Sequence, residues 1–398
     1  MKLPPVFAIS LDAGGQRWAR LSRGARAAGL HSESKSEGGR ECESEGGREC
    51  VSGVQRFPAV DGRRMSLSEL QQRTTWLGRH LQPAGVLGCA LSHMSLWQKM
   101  VSEDIPLAIV LEDDVELVQD FRDKLESNLI RLCEIYPKME RVLLSSGDTV
   151  WDDGGGGVSG GVSGGVSGGG GGGGGGSASG DDTNRGADGF DVILLGGMGR
   201  VHPQGKDSTA AYLFSLCAGG TQSPKRISDF LYRPVRPAGT HAYMITKQGA
   251  EKLLKACPKA RFHIDIDAWG QRSVDVLMFN PMLAYQTFDS STLVEYTKGN
   301  ENTENSILQR VFKNSRDPFT RQTWQHALSE PLLQLGARAG GPVLRNYQVV
   351  AVCGGGLLLA TLSHFLQLKR SGNVILKATM LVIILLKILI SLLLKLEQ

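Results

Sequence analysis

Apolar residues recur along this chain as short continuous runs, separated by stretches in which they return at helical spacing. Val6 to Leu11 is a compact apolar run that predicts a strand, and Asp12 to Leu30, with Arg17 and Arg20, follows as turn and helix. Leu91, Met94, Trp97 and Val101 recur with the period of one helix face and predict a helix from about Gly88 to Val101. That helix runs into a buried strand, Leu107 to Leu111, which ends on three carboxylates, Glu112, Asp113 and Asp114. Phe121 to Tyr136 is amphipathic and predicts a helix, while Val142 to Ser145 and Asp191 to Leu195 predict short strands. From Gly239 to Cys257 the pattern changes from strand to helix, with Thr246 as N-cap and Ala250, Leu253, Leu254 and Cys257 on one face. Val276 to Leu283 completes the series. Strands alternating with helices predict an α/β domain with a largely parallel sheet.

Two stretches break the pattern. Between 32 and 50 the segment S-E-G-G-R-E-C occurs twice, at 36–42 and 44–50. Between 152 and 187 the chain becomes G-G-V-S repeats and a nine-glycine run. Neither composition can repay its ordering entropy, so both are expected to be disordered insertions. After the first, the pattern resumes at Phe57 with F-P-A-V-D-G-R-R, where Asp61-Gly62 marks a turn. The expected organisation is one folded domain over 1–300, a connecting helical or linker region over 301–346, and a hydrophobic tail over 347–398.

The tail predicts membrane association. Residues 374–394 are long enough to span a bilayer, although Lys377 and Lys387 interrupt them. A central lysine costs about 2.5–3.5 kcal/mol on insertion scales, and each surrounding leucine or isoleucine returns about 0.3–0.6. Residues 347–366 are a second, weaker candidate, and Lys369-Arg370 lies between the two. One span, a hairpin, an interfacial helix and an amphipathic partner helix are all compatible with this pattern. The N-terminal apolar run is broken by prolines and does not read as a signal peptide. A C-terminal anchor with a cytosolic folded domain is therefore expected, with a lumenal setting in the endoplasmic reticulum or Golgi left open.

Composition narrows the function classes. With 44 basic against 40 acidic residues, a net charge of +4 is too balanced to argue for a nucleic-acid partner. Seven widely spread cysteines form no disulfide framework, and no C-x-x-C pair signals zinc. Cys89 is expected to pack against the following strand.

In an open α/β sheet, ligands bind beyond the carboxyl ends of the strands. Carboxylates placed there supply hard oxygen ligands for a divalent cation that holds phosphates. The acidic strand end thus points to nucleotide or nucleotide-sugar chemistry. Six blocks stand in order around it: V-F-A-I-S-L-D with Arg17, F-P-A-V-D-G-R-R, G-V-L-G-C-A-L-S-H-M-S-L-W, A-I-V-L-E-D-D-V, D-V-I-L-L-G and G-T-H-A-Y-M-I-T-K-Q-G-A-E-K-L-L. In these blocks, over roughly residues 5–290, the chain resembles glycosyltransferase family 25, which includes bacterial lipooligosaccharide galactosyltransferases and the collagen galactosyltransferase group.

The resemblance implies a GT-A-like, single Rossmann-type domain and inverting transfer of a hexose, galactose or glucose, from a UDP-sugar. The acceptor would be a hydroxyl of a glycan, glycolipid or protein. A divalent metal, manganese by this analogy, would neutralise the leaving diphosphate. Asp114 is the first candidate metal ligand, Glu112 binds the metal through water or touches the ribose, and Asp113 is expected to turn away as a cap. Ser92-His93 matches a family block and places His93 at the donor site, against the plainer reading of a structural histidine. Asp61 and Arg63 are candidates for the nucleotide, and Arg17 for the diphosphate. Asp265 or Asp267, in F-H-I-D-I-D-A-W, is the candidate general base, and Trp269 is a candidate sugar platform or core residue. His241 completes the metal shell or lines the donor site. Two other readings stay open: a membrane-tethered scaffold on a degenerate transferase fold, and a nucleotidyltransferase with carboxylate-held metal.

Overall fold

Strand β1 (Val6–Ser10) is apolar on both faces and buried throughout, as a central strand covered by two layers must be. The computed structural model of the chain describes residues 3–30 except 13, 50–147 except 52, 189–200, 224–287 except 272, 331–334, 343–345, 348 and 355. After β1 come α1 (Gln16–Ala27), β2 (Cys50–Val51), β3 (Val54–Pro58), α2 (Leu67–Arg73), α3 (Trp76–Leu81), α4 (Ala84–Ser102), β4 (Leu107–Glu112), β5 (Val115–Leu117), α5 (Phe121–Ile135) and α6 (Lys138–Gly147). Beyond the second insertion lie β6 (Val192–Leu194), β7 (Met198–Arg200), β8 (Lys225–Arg226), β9 (Leu231–Arg233), β10 (Val235–Ala238), β11 (Ala242–Thr246), α7 (Lys247–Ala256), α8 (Ile264–Trp269), β12 (Val276–Phe279), β13 (Ala284–Gln286), β14 (Pro331–Gln334) and β15 (Val343–Arg345).

The main sheet has the order β2-β3-β1-β4-β11-β6-β12-β9-β8. Its central strands β3, β1, β4, β6 and β12 run in one direction, and β11 lies reversed between β4 and β6. This is the largely parallel α/β sheet expected from the alternation. Along β4 the alternation is strict. Leu107, Ile109 and Leu111 join one core, with α1 and α5 residues such as Trp18, Leu21, Phe121 and Leu125. Ala108 and Val110 join the other, with Leu91, Met94 and Trp97 of α4 and Leu253 of α7. Each fully buried leucine here contributes about 1.5–3 kcal/mol.

Several boundaries move. Helix α4 begins at Ala84, four residues before Gly88, with Pro83 preceding its first turn. Val142 to Ser145, expected as a strand, lies inside α6. Met139 and Leu143 bury one helical turn apart, the spacing of a helix face rather than of an alternating strand. Thr246 caps α7 as predicted, accepting the Gly249 amide at 3.0 Å.

Of the region 301–346, the structure describes an antiparallel pair, β14 with β15. Cys50, the last residue of the first low-complexity segment, lies in β2; the rest of that segment, the segment 152–187 and the hydrophobic stretch 374–394 lie outside the described residues. Among the described residues no helix is long and apolar enough to cross a membrane.

Candidate functional site

The register of β1 against β4 pairs Ile9 with Glu112, so both strands end at the same edge of the sheet. There the chain opens a cleft enclosing roughly 690 Å³, part of it continuous with solvent. Arg17, Asp61, Arg63, Cys89, Ser92, His93, Glu112, Asp113, Asp114 and Gln286 all face it. Seven residues expected from the sequence thus converge: Arg17, Asp61, Arg63, His93, Glu112, Asp113 and Asp114.

Arg17, on the first turn of α1, spans two of the carboxylates. Its Nη2 lies 2.8 Å from Asp113 Oδ1 and 2.9 Å from Asp114 Oδ2. Asp113 does not turn away as expected; its Oδ2 accepts the Ser10 hydroxyl at 2.7 Å, and the side chain faces the cleft. Asp114 Oδ2 also receives the Gln286 amide at 3.3 Å, while its buried Oδ1 has no hydrogen-bonding partner. Three carboxylates surround one guanidinium, and the site is short of positive charge. Burial pushes the Asp114 carboxyl up to about 7; Arg17 opposes this, and Glu112 and Asp113 add to it. The Arg17 guanidinium loses to burial and gains from Asp114, Asp113 and Glu112, and its pKa ends above the ordinary value.

Helix α4 holds the opposite wall through small residues. A Cβ on Gly62 would meet the Ala84 carbonyl oxygen at 1.9 Å, and one on Gly88 would meet the Val60 carbonyl oxygen at 2.5 Å. The turn after β3 therefore packs backbone to backbone on α4. The Ser92 hydroxyl pins it, accepting the Val60 amide at 2.8 Å and donating to the Gly88 carbonyl at 2.7 Å. On that turn the Arg63 guanidinium pairs with Asp61 through contacts of 2.7 and 2.9 Å and holds its carboxyl below the usual range.

His93 is fully buried between a carboxylate and a phenol. Its Nε2 lies 3.3 Å from Glu112 Oε1, and its Nδ1 lies 2.9 Å from the Tyr243 hydroxyl, which accepts the Trp97 indole N–H at 3.0 Å. The Thr240 hydroxyl donates to the same Glu112 oxygen at 2.6 Å. Burial raises the Glu112 carboxyl, but the hydrogen bond and charge of His93, with the Thr240 hydroxyl, carry it down to about 2.

The acidic cluster on α8 falls elsewhere. Asp265 Oδ2 accepts the Gly239 amide at 2.7 Å, and the Trp269 indole donates to the Gly239 carbonyl at 3.0 Å. Together they grip the loop that carries Thr240 and His241. Asp267 pairs with Arg261 at 2.9 Å and accepts the Phe262 amide at 3.2 Å. Neither carboxylate lines the cleft. His241 is fully buried and does not line the cleft; desolvation pushes its imidazole down to about 4, against the pull of Glu112 and the Ala284 backbone. Ser10, Thr240, Tyr243 and Gln286 were not singled out from the sequence. Thr240 and Tyr243 stand in the G-T-H-A-Y block, but only Tyr243 lies in β11, and Thr240 belongs to the loop before it.

Residues 41–140 match the model of Glycosyltransferase family 25 (LPS biosynthesis protein). The match contains the turn after β3, α4 and the carboxylates, whereas Arg17 and Thr240 come from outside it. Over 81 residues the chain is 33% identical to Procollagen galactosyltransferase 2 of Homo sapiens, covering 18% of this chain and 13% of that protein. Over 77 residues it is 36% identical to a glycosyltransferase 25 family member of Aedes aegypti, covering 17% and 13%. A mouse protein named Inactive glycosyltransferase 25 family member 3 is 36% identical over 81 residues, covering 18% and 14%. The chain thus spans about 13–14% of the length of these curated relatives.

Proposed function

We propose that the protein is a glycosyltransferase that moves a hexose, galactose or glucose, from a UDP-sugar to a hydroxyl of a glycan, glycolipid or protein. The carrying observation is the convergence of Glu112, Asp113, Asp114 and Arg17 at the shared carboxyl ends of two parallel strands. The family match over 41–140 supports the sugar-transfer class over other phosphate chemistry.

The residues fit a divalent cation of the manganese class. The orphaned Asp114 Oδ1 is a buried hard oxygen without a partner, and Glu112 is held ionised by His93 and Thr240. Such an ion, when bound, neutralises charge on the leaving diphosphate. Arg17 carries the fixed positive charge of the site and is placed to release Asp113 or Asp114 and take diphosphate oxygens instead. The Asp61–Arg63 pair at the cleft wall offers a carboxylate and a guanidinium to the nucleotide. Asp265 and Asp267 are both engaged within the fold, so acting as acceptor base would require release from Gly239 or from Arg261. Membrane association through residues 347–398 is a separate proposal, tested by flotation with liposomes.

A second reading follows from the relative named inactive. The same cleft would bind a nucleotide sugar without transferring it. The test is UDP release from UDP-galactose or UDP-glucose with manganese, beside calorimetric binding of UDP. Release supports transfer, binding without release supports the second reading, and the absence of both overturns both readings.

A further inference from the structure

We propose that Cys89, His93 and Glu112 form a three-ligand site for a thiophilic divalent cation of the zinc class, chemically separate from the oxygens of Asp113 and Asp114. One ligand atom of each lies within 4.8 Å of the other two. Cys89 and His93 stand one helical turn apart on α4, which puts both side chains on one face. Glu112, the last residue of β4, meets them from the sheet edge, 3.3 Å from His93 Nε2. Zinc bonds of about 2.0–2.3 Å need tetrahedral ligand atoms roughly 3.5 Å apart, so the set, already within 4.8 Å, draws together only slightly on binding.

The surroundings are those of a supported ligand set. Ligating imidazoles are oriented by a hydrogen bond on the other ring nitrogen. Here the Tyr243 hydroxyl lies 2.9 Å from His93 Nδ1 and is itself fixed by Trp97. Thr240 holds the Glu112 carboxylate in the same way. All three ligands line the cleft, which leaves the fourth position facing open space. Thiolate with imidazole selects zinc-class ions over magnesium or manganese, whereas the aspartates offer only oxygen. Binding releases the Cys89 thiol proton to solvent. No C-x-x-C spacing marks the site, because its ligands come from a helix turn and the following strand.

Because Glu112 is shared, zinc-class occupancy would withdraw it from the donor cation; this consequence rests on the sugar-transfer reading, while the site itself does not. Cobalt(II) titration of the full chain tests the site. A thiolate-to-cobalt charge-transfer band is expected in the wild type and in Asp114→Asn, and its loss in Cys89→Ser. No band in the wild type, or a band that persists in Cys89→Ser, overturns the site. A measurement on the wild type guards against misfolding of the variant: with zinc at ten times its Kd, alkylation of Cys89, followed by peptide mass spectrometry, slows about tenfold. Equal rates with and without zinc overturn the site. UDP release that survives while the cobalt band is absent sinks this inference alone.

Discussion

The Thr240 hydroxyl donates to Glu112 Oε1 at 2.6 Å across 128 positions of sequence, and so ties the loop before β11 to the acidic end of β4. The same carboxylate oxygen faces His93, so the loop and α4 set its direction together. Behind the loop, Asp265 and Trp269 hold both polar groups of the Gly239 backbone. Glu112 is aimed by two layers of structure.

Thr240→Val keeps the shape of the side chain and removes only the donor. A hydrogen bond to a charged group contributes about 1.5–3 kcal/mol, so kcat/KM for the UDP-sugar is expected to fall roughly 10–100-fold. Steady-state UDP release measures it. A change under twofold would mean that Glu112 needs no aiming from this loop.

The glycines of the cleft wall separate steric need from helix propensity. Gly62→Ala places its Cβ against the Ala84 carbonyl, and overpacking of this kind costs about 1–3 kcal/mol or more. Gly24→Ala, inside α1 with nothing within 4 Å of the new atom, is expected to stabilise by about 0.5–1 kcal/mol. Urea denaturation of both variants checks the contrast; equal effects would contradict the close packing of the turn on α4.

Two buried groups give opposite pH dependences in the metal-free protein. His241 is pushed down to about 4, so the unfolded chain takes its proton first, and this contribution is lost as pH falls from 6.5 towards 4. Asp114 is pushed up to about 7, so the folded chain holds its proton longer, and this contribution is lost as pH rises from 4 towards 7. The His241 contribution is worth roughly 3 kcal/mol and the Asp114 contribution roughly 4 kcal/mol, at about 1.36 kcal/mol per pH unit. In the wild type they largely offset one another. His241→Gln is expected to lose stability as pH rises through this window, and Asp114→Asn to gain it. Unfolding free energies between pH 4 and 7.5 decide the matter, and parallel slopes in the two variants would refute the assignment.

Much of this site was legible in the sequence because its parts are local signals. The apolar run of β4 ending on carboxylates fixed the floor, and the Asp61-Gly62 turn and Ser92-His93 fixed one wall. Ser10, Thr240 and Gln286 were not legible, since small polar side chains at strand ends carry no pattern until register brings them to one edge. The acidic residues of α8 lie away from the cleft lining for a related reason. A carboxylate that satisfies a loop amide, as Asp265 does for Gly239, reads in sequence like one waiting for a substrate. Val142 to Ser145 reads as a strand and folds as a helix, because a short apolar run has no period of its own.

In the proposed transferase, Asp114 is the oxygen ligand on which donor binding most directly depends. The decisive measurement is UDP release from UDP-galactose and UDP-glucose, with and without manganese, by the wild type and Asp114→Asn at equal concentration. Manganese-dependent release by the wild type, reduced at least about 10²-fold in a folded Asp114→Asn, is the predicted result. Release that is indifferent to manganese and intact in Asp114→Asn would contradict it.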